Sequence, residues 1–276
     1  MKRLMRVFLI LIGLAYLDLV LLALVADKLI FQPHPTSYTD AQLRRADAEG
    51  IEYFRLSSGS ETISAVYLAN PNARYTLLYS HGNAEDIGDT LPLLQEFRRA
   101  GFAVFSYDYR GYGTSTGQPS EKGTYSDAHA AYDYLTQTLQ VAPSAIISHG
   151  HSLGAAAAIE LASAKPVAGL IADAPFVSAF RVLTSVRMLP WDEFTNSYYI
   201  RRVHCPVLVI HGKADNVIPW RHGQLIYQRA NQPKRALWID NAGHNNTFLI
   251  AGKLYLQSMT EFAASIAPAN AAAASK

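Results

Sequence analysis

Short apolar runs that alternate with amphipathic stretches constrain the fold of this chain more than any other feature. Runs rich in Val, Ile, Leu, Phe and Tyr recur between helical patterns from residue 51 onward. Strands that alternate with helices in this way predict an α/β fold with a mostly parallel sheet and helices on both faces. The predicted strands are Glu52–Leu56, Ile63–Leu68, Tyr75–Ser80, Phe102–Tyr107, Ala145–Ser148, Gly169–Ala172, Val207–His211 and Arg235–Ile239.

The predicted helices lie between and after these strands. They are Thr90–Ala100, Gly123–Gln140, Leu153–Ala164, Trp220–Ala230 and Asn246–Ala264. No internal linker is long enough to split residues 31–264, which are therefore predicted to form one domain. Residues 265–276 are predicted to be an Ala-rich tail.

A long apolar segment precedes the predicted domain. Val7–Val25 contains 14 Leu, Ile, Val or Phe residues and one charged residue, Asp18. Each apolar residue contributes roughly −0.3 to −0.6 kcal/mol at the centre of a membrane helix, against about +2.5 to +3.5 kcal/mol for Asp, so the sum favours insertion. Residues 1–30 are therefore predicted to form a transmembrane anchor, long enough for a bilayer core of ~30 Å.

The basic residues of the anchor predict its orientation. Lys2, Arg3 and Arg6 precede the apolar segment, which places the N-terminus in the cytoplasm and the domain outside, in the periplasm or a lumen. A cleaved signal peptide is the alternative interpretation. The small residues around Ala23 and Ala26 do not have the spacing that cleavage requires, which favours the anchor.

Composition excludes several classes of function. The whole formal net charge of +2 comes from residues 1–28, so the domain has no basic excess of the kind that binds nucleic acid. The single cysteine, Cys205, excludes an internal disulfide framework and a multi-cysteine zinc site. Arg110–Gly117 has glycines spaced G-x-G-x-x-x-G and not as in a dinucleotide loop, and the nine His are scattered. We therefore expect no cofactor, no metal and no nucleic acid.

The segment Gly150-His-Ser-Leu-Gly154 follows a predicted strand and precedes a predicted helix. In this context G-x-S-x-G indicates a nucleophilic serine, because glycines permit the tight turn that exposes the hydroxyl. The first N–H groups of the helix would then lie beside the Ser152 hydroxyl. A Gly-rich turn that happens to contain Ser is the alternative.

A nucleophilic serine needs a base and an acid that orients the base. In a sheet of this kind they are expected in the order Ser, Asp or Glu, His along the chain. Asp215 follows the strand Val207–His211, and His244 follows the strand Arg235–Ile239. Both therefore lie at carboxyl ends of strands, and both are predicted to converge on Ser152.

Other titratable residues compete for these roles. Asp173, at the end of Gly169–Ala172, is the rival for the acid. His151 adjoins the serine and is expected to line the cleft or pack, since its side chain does not easily reach the hydroxyl from that turn. His211 ends its strand and is expected to be structural.

Acyl transfer also requires hydrogen-bond donors for the oxyanion. The backbone N–H of Leu153, directly after the serine, is the first predicted donor. The second is the backbone N–H of Asn83, in the loop after Tyr75–Ser80, where Gly82 frees the chain to turn. If only the main chain of Asn83 acts, Asn83→Ala should cost little activity.

Several segments together resemble the α/β-hydrolase superfamily of serine hydrolases. They are SHGNAED, YDYRGYGTSTGQPS, GHSLG, PVLVIHGKADNVIP and AGHNN. With the apolar segment and the FQP sequence that follows it at residues 31–33, the chain is most similar to the membrane-anchored abhydrolase domain-containing branch. The resemblance implies Ser152, Asp215 and His244 as a triad, with Asn83 and Leu153 as oxyanion donors. The branch includes thioesterases that remove protein-linked fatty acyl groups, but this chain has no N-terminal Cys cluster for its own lipidation.

The resemblance implies a cap over the cleft, inserted after the strand Gly169–Ala172, and segment 174–206 leaves room only for a minimal one. Its apolar residues either form a rim or belong to the core; they are Phe176, Leu189, Trp191, Phe194 and Tyr198. An open apolar cleft beside a membrane suits acyl ester or thioester substrates. The leading hypothesis is therefore a membrane-tethered serine hydrolase. The alternatives are a serine peptidase of the same fold and a non-catalytic membrane-anchored binding protein.

Overall fold

An eight-stranded sheet forms the centre of the protein. The computed structural model describes residues 2–24, 28, 30–45, 50–183 and 192–266. The strands are β1 (Ile51–Ser58), β2 (Glu61–Leu68), β3 (Thr76–Ser80), β4 (Ala103–Tyr107), β5 (Ile146–His151), β6 (Gly169–Asp173), β7 (Val207–Gly212) and β8 (Lys234–Ile239). Their order in the sheet is β1-β2-β4-β3-β5-β6-β7-β8. Strand β2 alone runs opposite to the other seven strands, so the prediction of a mostly parallel sheet is confirmed.

Helices cover both faces of this sheet. The helices of the described residues are α1 (Lys2–Leu24), α2 (Asp40–Arg45), α3 (Ile87–Arg99), α4 (Glu121–Asp133), α5 (Leu153–Ala164), α6 (Ala179–Leu183), α7 (Asn196–Tyr199), α8 (Arg221–Arg229), α9 (Thr247–Ala251) and α10 (Lys253–Ser265). Helix α1 is not among those that cover the sheet. Alternate residues of β4 belong to different cores. Val104 shares a core with Phe97 of α3 and Phe262 of α10, whereas Phe105 shares one with Ala156 of α5.

Burial explains why the central strands read as continuous apolar runs. Every residue of β3, β4, β5, β6 and β7 is buried, because helices lie on both faces. The edge strand β1 instead mixes buried and exposed residues. Helix α5 is Ala-rich and buried over almost its whole length, which allows it to pack closely between the sheet and its neighbours.

Two predicted helices differ from the structure. The last one, Asn246–Ala264, is two helices, because Gly252 adopts a positive φ of 44° and ends α9 before α10 begins. The predicted helix Gly123–Gln140 is α-helical only to Asp133 and continues through Tyr134–Thr138 as a wider helical turn.

The N-terminal helix α1 is long and apolar enough to cross a bilayer, a property that signal sequences share. Its segment Arg3–Leu21 has a mean hydropathy of 2.3, and none of it is buried within the protein. The chain after α1, in contrast, is partly buried against the domain. Phe31 and Tyr38 are both buried in the cores of the domain.

Candidate active site

Ser152 lies at the junction of β5 and α5. The strand extends to His151, three residues beyond the predicted end at Ser148, so Ser152 directly follows it. The Ser152 backbone has φ 53° and ψ −115°, a conformation that residues other than glycine rarely adopt. Its amide donates a hydrogen bond of 2.9 Å to the carbonyl oxygen of Asp173 on β6. The turn therefore holds the hydroxyl at the carboxyl edge of the sheet in a strained backbone.

Two glycines permit this turn. A Cβ atom on Gly150 would lie 1.9 Å from the carbonyl oxygen of Gly154. A Cβ atom on Gly154 would lie 2.0 Å from the carbonyl oxygen of Ser80 on β3. Both distances are far below van der Waals contact, so the G-x-S-x-G pattern is a steric requirement of this junction.

The structure brings Ser152, His244 and Asp215 together. His244 Nε2 lies 2.9 Å from Ser152 Oγ, and His244 Nδ1 lies 2.7 Å from Asp215 Oδ2. An ionised carboxylate only accepts hydrogen bonds, so Nδ1 carries the proton and Nε2 is left to accept from the hydroxyl. All three side chains are more than nine-tenths buried.

Asp215 is held as a carboxylate by several donors. Its Oδ1 accepts hydrogen bonds from the backbone N–H groups of Val217 at 2.9 Å and Ile218 at 2.8 Å. Its Oδ2 faces His211 Nε2 at 3.2 Å as well as His244. Burial opposes ionisation, but the hydrogen bonds from His211 and His244 outweigh it and lower the pKa of Asp215 well below its usual range.

The rival acid, Asp173, contacts a different histidine. Its Oδ2 lies 3.4 Å from His151 Nδ1 and accepts hydrogen bonds from Tyr255 at 2.9 Å and Thr247 at 3.2 Å. Burial disfavours charged His151, but the hydrogen bond and charge of Asp173 prevail and raise the pKa of His151 to about 9. The His151 ring lies 5.2 Å from that of His244, so a second histidine–carboxylate pair adjoins the first.

One cavity contains all the predicted site residues except the buried Asp215. It has a volume of about 530 Å³ and is lined by Ser152, His244, Leu153 and Asn83 among others. Leu153 begins α5, where the N–H groups have no intrahelical acceptor. Within the described residues, the Asn83 N–H also makes no hydrogen bond to a protein group. Neither predicted oxyanion donor therefore has a competing acceptor in the part of the chain that the structure describes.

A larger concavity, of about 840 Å³, lies along α4 and contacts none of these residues. Its volume alone does not make it a reactive site, because reaction requires a nucleophile and a base within hydrogen-bond distance. The smaller cavity meets that requirement.

The apolar residues of segment 174–206 have different surroundings. Phe176 is buried and lines the 530 Å³ cavity, whereas Phe194 belongs to the core and Tyr198 is exposed. Leu189 and Trp191 lie outside the described residues. The described part of this segment contains the short helices α6 and α7.

One cluster has groups of the kind that bind metal ions. His34, Asp86 and Asp89 have candidate ligand atoms within 4.8 Å of one another. These atoms already have protein partners, since Asp86 caps α3 and His34 Nε2 lies 2.9 Å from Asp89 Oδ2. The arrangement is explained by packing of the chain after α1 against α3.

The fold and this arrangement define an α/β hydrolase. The chain belongs to the alpha/beta hydrolase domain-containing protein 17 family. It is 34% identical to alpha/beta hydrolase domain-containing protein 17B of Homo sapiens over 261 residues, which cover 86% of this chain and 90% of that protein. The Caenorhabditis elegans protein aho-3 is 41% identical over 198 residues, covering 70% of this chain and 58% of that protein. A family model described as serine aminopeptidase, S33, matches residues 71–199.

Solved structures share the fold. An esterase from Pyrococcus furiosus superposes with a TM-score of 0.69 at 19% identity, covering 84% of this chain and 97% of that one. An alpha-beta hydrolase from Vibrio vulnificus has a TM-score of 0.68 at 22% identity, covering 83% of this chain and 87% of that one. The α/β-hydrolase fold predicted from the sequence is therefore confirmed.

Sequence reasoning missed three features of the site. It did not predict that His211 contacts Asp215, that His151 pairs with Asp173, or that Ile30 and Gln32 line the cavity. The position of His211 at a strand end, four residues before Asp215, was the one available signal. The other contacts join residues far apart in the chain.

Proposed function

We propose that this chain is a serine hydrolase that cleaves acyl esters or thioesters. Ser152 is the nucleophile, His244 the general base and Asp215 the acid that orients the base. The observation that carries the proposal is the continuous hydrogen-bonded series Ser152–His244–Asp215, with distances of 2.9 and 2.7 Å. A nucleophile, a base and an orienting acid at such distances are what acyl transfer requires.

The reaction proceeds in two steps. His244 Nε2 takes the hydroxyl proton as Ser152 Oγ attacks the carbonyl carbon, and the N–H groups of Asn83 and Leu153 stabilise the oxyanion. His244 then protonates the leaving alcohol or thiol as the acyl-enzyme forms. Water, deprotonated by the same nitrogen, attacks the acyl-enzyme and releases the acid. No step requires a metal or a cofactor.

The cavity lining supports an acyl substrate. Its larger apolar side chains are Ile30, Leu153, Phe176, Val182, Val217 and Ile218. Each CH₂ group that is buried contributes about 0.8 kcal/mol. An acyl chain would therefore gain affinity from this surface, while its carbonyl carbon reaches Ser152.

Turnover of a series of nitrophenyl esters and acyl-thioesters by the full-length protein tests this proposal. We expect kcat/KM to rise by about two- to fourfold for each added CH₂ until the cavity is filled. A fluorophosphonate should react with Ser152 and abolish turnover. If folded protein neither turns over these substrates nor reacts at Ser152, the proposal is wrong and a binding protein without catalytic activity is favoured.

A serine peptidase is the second candidate, because the matching family model is described as a serine aminopeptidase. Such an enzyme needs a carboxylate to bind the substrate's α-amino group. Glu85 is the only acidic residue among the described residues that line the cavity. Faster turnover of aminoacyl nitroanilides than of esters would favour the peptidase.

The same proposal includes a membrane tether with a defined orientation. Segment Arg3–Leu21 supplies the span, and the basic residues before Val7 favour a cytoplasmic N-terminus. The catalytic domain then lies outside the cytoplasm. Protease that reaches only the non-cytoplasmic face of the membrane should digest the domain. Digestion only after the membrane is permeabilised would contradict this orientation.

A further inference from the structure

The chain between α1 and α2 contacts the loop that carries the proposed oxyanion donor. We call residues 30–38 the connector. The Asn83 side chain donates a hydrogen bond of 2.5 Å from Nδ2 to the carbonyl oxygen of Ile30. Asn83 Oδ1 accepts from the backbone N–H of Gln32 at 3.0 Å and from the Tyr112 hydroxyl at 2.6 Å. Both ends of the Asn83 amide are therefore bound, and two of the partners are main-chain groups of the connector.

The connector is itself fixed to the domain. The Phe31 ring is buried and packs edge-on against Phe194, with ring centroids 5.9 Å apart. The backbone N–H of Ser37 donates a hydrogen bond of 2.7 Å to Asp86 Oδ2, and Asp86 caps α3 at the end of the same loop. The connector thus contacts the loop both at Asn83 and at the start of α3.

Such contacts determine where the Asn83 backbone points. A loop residue whose side chain makes three long-range hydrogen bonds has little freedom to rotate its peptide plane. An oxyanion donor is effective only when it already points at the position where charge develops, since a reorientation would cost free energy during the reaction. The side chain of Asn83 therefore fixes the orientation of the backbone, whereas its N–H binds the oxyanion.

We propose that the connector completes the active site: Ile30 and Gln32 position Asn83 through their backbone groups, and Ile30 forms a wall of the acyl cavity. This inference rests on the proposed function. It assigns the Asn83 side chain and the Gln32 N–H as positioning groups, and it replaces the earlier expectation that Asn83→Ala costs little.

The connector lies close to the apolar helix α1 in the chain. Six residue steps separate Leu24, at the end of α1, from Ile30, and an extended chain spans at most about 3.6 Å per residue. The cavity wall at Ile30 therefore lies within roughly 22 Å of the end of the apolar helix. The segment that tethers the enzyme also shapes its site.

Gln32→Pro in the full-length protein tests the inference, because proline removes the N–H that Asn83 accepts. Gln32→Ala is the reference, because it loses the side chain and keeps the N–H. We expect kcat for a nitrophenyl ester to be about 10- to 100-fold lower in Gln32→Pro than in Gln32→Ala, as for a misplaced oxyanion donor. KM and the melting temperature should change little between the two.

A trifluoromethyl ketone separates positioning from a general structural defect. It forms a tetrahedral adduct with serine, so its inhibition constant should rise by the same factor as kcat/KM falls. Asn83→Ala should show the same parallel loss, which keeps the test valid if Gln32→Pro does not fold. Equal kcat and equal inhibition constants in Gln32→Pro, Gln32→Ala and Asn83→Ala would overturn the inference. If the wild-type protein is itself inactive, the proposed function fails instead.

Discussion

Ser152→Ala should lower the turnover of an ester substrate by about 10⁵- to 10⁶-fold, the loss expected when a serine nucleophile is removed from such a constellation. The reason is geometric. Ser152 Oγ is the atom within 2.9 Å of His244 Nε2, and alanine offers no atom that can form the acyl-enzyme. The measurement is kcat on a nitrophenyl ester with detergent-solubilised full-length protein.

Ser152→Gly is the matched control, because it also removes the hydroxyl but relieves the backbone strain. Ser152 has a φ of 53°, which costs about 1–3 kcal/mol for a residue with a Cβ atom. Ser152→Gly should therefore be inactive like Ser152→Ala and should melt several degrees higher. Substantial turnover by Ser152→Ala would contradict the nucleophile assignment. Equal melting temperatures of the two variants would contradict the claim that the Ser152 backbone is strained, but would leave the nucleophile assignment intact.

Asp215→Asn should lower kcat/KM by about 10⁴-fold, because an amide in place of the carboxylate favours the wrong tautomer of the base. Asp215 Oδ2 lies 2.7 Å from His244 Nδ1, and the Asn NH₂ group would compete with the Nδ1 proton there. Nε2 would then carry the proton and no longer accept from Ser152. The comparison is made on the same ester at one pH, with melting curves to verify folding.

Asp173→Asn is the matched variant for this prediction. Asp173 also lies at the end of a neighbouring strand, but its side chain contacts His151, Tyr255 and Thr247. None of these contacts orients His244, so the cost of about 1–3 kcal/mol should fall mainly on stability, and we expect kcat/KM to drop on the order of tenfold or less. A larger loss in Asp173→Asn than in Asp215→Asn would reverse the assignment of the acid.

The fold followed from the sequence because burial leaves a direct pattern. Strands covered on both faces read as apolar runs, and β3 through β7 have this property at every residue. The helix boundaries were less predictable. Gly252 divides the last helix through its backbone conformation, which the apolar periodicity does not report.

The candidate residues of the site were also predictable, but not all their partners. The junction at Ser152 needs glycines on both sides, and that requirement is visible as a motif. Contacts with His211, with Ile30 and between His151 and Asp173 leave no pattern, because they depend on which loops meet at the edge of the sheet. The catalytic roles of Ser152, His244 and Asp215 stay predictions until the variants are measured.

By itself the sequence determined the alternation of strands and helices, the apolar N-terminal segment and the steric form of the serine turn. The tertiary structure decided which of two acids reaches His244. Asp173 ends β6 and Asp215 follows β7, and because these strands are adjacent and parallel, chain position places both acids at the same edge of the sheet. The loop geometry does, because it directs Asp215 toward His244 Nδ1 and Asp173 toward His151. It also decided that the connector contacts Asn83, since hydrogen bonds between residues about 50 positions apart arise only when the chain is folded.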